Sequence, residues 1–175
     1  MKLASRMITG IVVVLLMALV MLFAGVRLLG LTPFAVLSGS MEPLYPVGSL
    51  IYVQETDPAQ IEPGDAVTFT KGSGVVATHQ AYEVDAASQL IRTQGIANIN
   101  ADGSVMKDAE PVPFANVIGV PVACIPLLGY VNSFVTSPGG SFVVIAAAVV
   151  LIVLSIVLGP SSRKASPAQG RHMRR

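Results

Sequence analysis

Charge is what this sequence has least of. Asp, Glu, Lys and Arg make up 12% of its 175 residues, about half the ~25% of an ordinary soluble domain. With 53% apolar residues and a mean hydropathy of +0.69, the composition points to a membrane protein before any motif is read. Acid is missing from both ends of the chain, because all ten acidic residues lie between Glu42 and Glu110. Only Lys71, Arg92 and Lys107 share that region, which leaves it at a formal charge of −7. The single cysteine, Cys124, excludes an internal disulfide and a Cys-based zinc cluster; it sits in an apolar run and reads as a small packed hydrophobe. Basic residues are few, mostly terminal and not interleaved with aromatics, which excludes a nucleic-acid binder. Helical periodicity is absent from the middle of the chain, and there are no internal repeats.

Two uncharged apolar runs account for the hydropathy. "MITGIVVVLLMALVMLFAGV" (7–26) and "FVVIAAAVVLIVLSIVLG" (142–159) are each long enough for a spanning helix, which needs ~20 residues. Lys2 and Arg6 precede the first run, and Arg163, Lys164, Arg171, Arg174 and Arg175 follow the second. The positive-inside rule then puts both termini in the cytoplasm and the acidic middle outside. Arg27, at the far end of the first run, can snorkel to the interface. A cleaved leader is the alternative for the first run, but the run exceeds the usual h-region of about 7–15 residues and "AGV" is a weak cleavage site. The expected organisation is an N-terminal transmembrane anchor (1–31), an extracytoplasmic β-rich domain (32–141), a second transmembrane helix (142–160) and a polar, basic cytoplasmic tail (161–175). The protein is thus expected in the cell membrane, as a multi-pass protein in contact with the bilayer.

The middle of the chain carries short β-rich runs bounded by turn residues. They are "SLIYVQ" (49–54), "AVTFT" (66–70), "VVATHQAYEV" (75–84), "QLIRT" (89–93) and "NVIGVPVACI" (116–125). "EPGD" precedes the second, and "KGSG" turns it into the third. Pro121 in the last run predicts an edge position or a bulge. The expected fold class is mostly β: an antiparallel, barrel-like domain between two transmembrane helices, with few or no helices of its own.

Candidates for chemistry are scarce. Of two histidines, His172 falls in the tail, so His79 is the only one in the outer domain. Strand alternation puts it on the face of Val75, Ala77 and Ala81. A lone strand histidine there is more often a packed residue than a catalyst. "SGSMEP" (38–43) follows the first apolar run closely, with Ser40 fourteen residues beyond Val26; at ~3.3–3.6 Å per residue this serine stays near the membrane surface. A serine nucleophile needs a base, which an imidazole supplies near neutral pH, and the base needs a carboxylate to fix its tautomer. Composition alone does not choose among the ten carboxylates.

The motifs "SGSMEP" (38–43), "PGDAVTF" (63–69), "ATHQAYEV" (77–84) and "TQGIANINAD" (93–102), in this order and spacing, resemble the boxes of signal peptidase I, and "IPLLGYVNSFVTSPGG" (125–140) resembles its C-terminal segment. A histidine at position 79, in place of the lysine of the common bacterial type, is similar to the endoplasmic-reticulum type, also found in archaea and some Gram-positive bacteria. The resemblance implies a serine endopeptidase that removes signal peptides from exported preproteins, with no metal or organic cofactor. It implies Ser40 as nucleophile, His79 as general base and Asp102 as the partner carboxylate. Ser38 and the Ser40 backbone N–H would form the oxyanion hole; a plain turn hydroxyl is the alternative for Ser38. Gly95, Asn98 and Asp102 match the last box, but Ile96 stands where the family has an aspartate, which leaves Asp108 or another acid as the alternative carboxylate. Preprotein signal peptides are the implied partners, with translocation machinery or accessory subunits beside them. Two rivals remain: a self-cleaving enzyme using Ser with Lys71 or Lys107, and a non-catalytic membrane-anchored β module.

Overall fold

The computed structural model describes residues 2–23 and 25–158; the tail with His172 lies outside the described residues. Helix α1 (Lys2–Phe23) leads through a 3-10 turn into strands β1 (Leu31–Ala35), β2 (Leu50–Gln54), β3 (Ala66–Thr70), β4 (Val76–Asp85), β5 (Leu90–Ile99), β6 (Val105–Lys107), β7 (Val112–Pro113) and β8 (Val117–Ile125), followed by helices α2 (Leu128–Thr136) and α3 (Pro138–Leu158). All the strand pairings are antiparallel, in the order β1-β2-β8-β3-β4-β5-β6, with β7 joined to β5. The domain is mostly β, as its alternating runs require. Where a barrel-like domain was expected, the path among the described residues ends in two edges, β1 and β6, so the hydrogen bonding does not close into a ring.

Strand β8 serves two sheets. Its first residues pair with β3, and Val120 to Ile125 pair with β2. The register slips where Tyr52 faces Ala123 and Val53 faces Pro121, so Val122 is an extra residue and Pro121 stands at a bulge, where the missing N–H costs no ladder bond. Gly119 lies at the crossing with φ 150°. A Cβ there would meet the Gln54 carbonyl oxygen at 1.9 Å, so only glycine lets the two sheets approach.

One face of β3, β4 and β5 carries the core: Val67, Phe69, Ala81 and Ile91, closed by Ile61 and Val112. Strand β2 is buried on both faces from Leu50 to Val53, as befits a strand with neighbours on each side. Among the strands and α-helices, β1, the short β6 and β7, and α2 are not expected from sequence. β1 contains Pro33 and survives because it is an edge strand, paired on one side only with β2. Helix α2 ends the β domain where few or no helices were expected. It buries Gly129 against the Ser49 backbone and leaves Tyr130, Val131 and Phe134 exposed along one side, with Leu127 exposed just before it.

Among the described residues no single helix is long and apolar enough to cross a membrane, but Leu128–Thr136 and Pro138–Val150, bent by 87°, reach that length and composition together. Tyr52, buried in β2, donates its hydroxyl to the Leu22 carbonyl near the end of α1 at 3.1 Å, which ties that helix to the strand beside the β1 edge.

Replacing Gly119 with alanine forces both strained backbone and a clash, and is expected to cost about 2–4 kcal/mol. Thermal unfolding in detergent checks this; an unchanged midpoint would contradict the described crossing.

Candidate active site

Ser40 lies in the loop between β1 and β2. Met41, 3% exposed, anchors the loop in the interior, and the Ser40 carbonyl accepts the Ala97 N–H of β5 at 2.9 Å. Strand β5 comes this close because residue 95 is glycine. A Cβ there would stand 3.0 Å from Ser40 Cβ and 2.5 Å from Asn98 Nδ2.

His79 projects from β4 on the core face, opposite Val67 of β3. Its ring meets Phe69 edge-on, with 6.2 Å between centroids, and only 6% of the residue is exposed. Nε2 lies 3.2 Å from Ser40 Oγ, and Nδ1 lies 2.5 Å from Asp108 Oδ2. A neutral imidazole donating from Nδ1 to the carboxylate leaves its Nε2 lone pair facing the serine hydroxyl. Thr93 Oγ1, fully buried in β5, donates to the same Asp108 oxygen at 2.6 Å. A buried charged group needs such partners, and here the imidazole and the hydroxyl supply them.

Asp102, the carboxylate implied by the motif, is elsewhere. It is exposed, and its Oδ1 accepts the Ser104 hydroxyl at 2.6 Å and the Ser104 N–H at 2.9 Å. These bonds, the hydroxyl foremost, hold its carboxyl below the ordinary aspartate range. The register explains the correction. Strand β5 runs on to Ile99, Asp102 falls in the turn beyond, and β6 returns with Lys107 opposite Gln94. The next residue, Asp108, therefore arrives beside Thr93, which faces Ala81 on β4, and its N–H bonds the Thr93 carbonyl at 2.9 Å.

Ser38 is exposed, with its Oγ 3.4 Å from Ser40 Oγ, beyond the usual O–H···O range. The Ser40 backbone N–H makes no hydrogen bond to the described residues. Of the two lysines, Lys107 holds its Nζ 4.2 Å above the Tyr82 ring, and Lys71 is exposed in the β3–β4 turn at the rim of the cleft. Cys124 is half-buried and unpaired among the described residues. No group of three His, Cys, Asp or Glu side chains is placed for a metal among the described residues.

Ser40, His79 and Asp108 line a cleft of about 640 Å³, walled on one side by Phe34 to Leu37 and on the other by Val75 to Thr78. A hydroxyl, an imidazole and a carboxylate in a row can activate the hydroxyl as a nucleophile. The sequence does not single out Thr93, Gly95 and Ala97 for this geometry; it offers Asp108 only as the alternative raised by Ile96, and the hairpin pairing that brings it beside Thr93 selects it.

No family model matches the chain. It is similar to Signal peptidase I W of Bacillus subtilis (strain 168), 33% identical over 118 residues that cover 62% of this chain and 62% of that protein. The chain thus spans less than two thirds of that relative's length.

The two aspartates can be separated by NMR of the His79 Nδ1 proton. Asp108→Ala is expected to abolish its hydrogen-bonded resonance, whereas Asp102→Ala should leave it intact and speed amide exchange at Ser104 instead. Because Asp102 is held ionised, the Ser104 protection should persist above the ordinary aspartate range and disappear as pH falls through its lowered value. Loss of the His79 signal in Asp102→Ala alone would reverse the assignment.

Proposed function

We propose that this protein is a membrane-bound serine endopeptidase that removes signal peptides from exported preproteins at the extracytoplasmic surface of the bilayer. The observation that carries the proposal is the unbroken line from Ser40 Oγ through His79 to Asp108 in an open cleft. The similarity to Signal peptidase I W supports the choice of substrate.

In this reading the substrate's cleavage region lies extended in the cleft and pairs with a strand edge. Small side chains before the scissile bond enter its shallow walls. Ser40 Oγ attacks the carbonyl carbon as His79 Nε2 takes its proton, and Asp108 stabilises the imidazolium. The oxyanion is received by the Ser40 N–H and, after rotation, by the Ser38 hydroxyl. His79 returns its proton to the leaving amine, and the C–N bond breaks. Water, activated by the same imidazole, then cleaves the acyl-enzyme. Apart from the rotation of Ser38, the protein groups these steps use are already in place, and none calls on a cofactor.

The membrane placement rests on both apolar runs and on α2. Positions 130, 131 and 134 follow the spacing of one helical face, and Tyr130, Val131 and Phe134 are 58%, 41% and 53% exposed. An amphipathic helix at 87° to an apolar one fits a helix lying in the headgroup plane beside a spanning helix. Both termini would be cytoplasmic. Anchored there, the nucleophile meets substrates held in the same bilayer at raised effective concentration.

Cleavage of a labelled preprotein by the full chain in liposomes tests the reaction. Ser40→Ala and His79→Ala should abolish it, Asp108→Ala should lower it by roughly 10⁴-fold, and Asp102→Ala should leave it within a few-fold of wild type. Full cleavage by Ser40→Ala would sink the proposal. For the placement, the chain contains no tryptophan, so Phe134→Trp introduces a single probe. Brominated lipids should quench its fluorescence strongly, and emission like that of tryptophan in water would put α2 off the bilayer.

A further inference from the structure

We propose that Thr93 is a positioning residue, which holds Asp108 in the orientation that aligns His79 with Ser40; the inference rests on the reading of Ser40 and His79 as nucleophile and base. Thr93 is completely buried in the middle of β5. It holds Asp108 at two points: its hydroxyl donates to Oδ2 at 2.6 Å, and its backbone carbonyl accepts the Asp108 N–H at 2.9 Å. The oxygen gripped by the hydroxyl is the one that meets His79 Nδ1. The two donors together fix the rotation of the carboxylate about its side-chain bond.

The grip matters because Asp108 has somewhere else to go. Its side chain is 21% exposed and borders not only the nucleophile's cleft but also a second cavity of about 430 Å³, which Lys71 and Glu110 also line. Water or the Lys71 ammonium in that cavity would compete for the carboxylate. A donor fixed on the strand opposes that turn. Threonine suits the post, since β-branching restricts its side-chain rotation and its methyl belongs to the same buried face as Ile91. Another buried threonine of the sheet gives the contrast: Thr68 merely pairs its hydroxyl with Thr78 across the strands, at 2.8 Å.

Thr93→Val keeps the shape and removes the hydroxyl; Thr93→Ser keeps the hydroxyl and removes the methyl. With full-length protein in liposomes and a labelled preprotein, the valine variant should lose about 10–100-fold in kcat, the size typical of an orienting partner's loss, with KM unchanged. In micelles its His79 Nδ1 proton resonance should broaden through faster exchange with water. The serine variant should restore both readouts. A valine variant with wild-type kcat and an unaltered resonance would overturn the inference. So would equal losses in both variants with the resonance intact, which would assign the effect to core packing. A resonance that broadens only in the valine variant, in a protein that cleaves no preprotein even as wild type, would support the positioning role and overturn the peptidase reading.

Discussion

The carboxylate of Asp108 is the group around which the rest of this domain is arranged. A carboxylate against a mostly buried imidazole is unfavourable unless donors meet its buried oxygen. Here the donors are His79 Nδ1 and Thr93 Oγ1, on adjacent strands, and the Thr93 carbonyl fixes the aspartate's own backbone. The polar trio extends a face that is otherwise apolar, from Val67, Phe69, Ala81 and Ile91. The same packing that excludes water from the core excludes it from one side of His79, and Phe69 belongs to both environments.

The sheet brings these groups together by register rather than by sequence proximity. Ser40, His79 and Asp108 are 39 and 29 residues apart, and each comes from a different part of the fold: a loop, a central strand and the end of a short returning strand. Glycine at 95 lets the serine loop settle on β5, and Met41 pins the loop below. A fold of this kind does not by itself imply an activity. The contiguity of three chemically matched side chains in an open cleft is what supports the activity proposed above.

Much of this was legible in the sequence, and its failures have a common cause. The runs at 49–54, 66–70, 75–84 and 116–125 appear as strands within a residue or so of those bounds, because alternation and turn residues are local signals. Ser40 and His79 mean little one by one in the sequence and gain their roles only from the motif resemblance; the structure sets them 3.2 Å apart. Asp102 stood out as the last acid of a motif counted along the chain. Pairing across the β5–β6 hairpin decides which acid meets the ring, and that pairing selects Asp108. β1 escaped notice because Pro33 disguises a five-residue edge strand, and α2 because its exposed face is drawn in the same apolar residues as the strands before it. Thr93 looked like any strand threonine, since nothing local records which oxygen its hydroxyl will reach.

The bond from Tyr52 to the Leu22 carbonyl has a consequence for selectivity. It fastens the end of α1 to the strand that follows the serine loop, so the nucleophile's distance from that helix is set by stiff structure instead of a slack connector. With α1 in the bilayer, as proposed, the domain becomes a ruler. Under the proposed function, a peptide would be read by how many residues separate its own apolar stretch from the bond offered to Ser40, and not by the size of the side chains near that bond alone. A bond of suitable composition, set too close to the lipid or too far from it, would pass the cleft uncut.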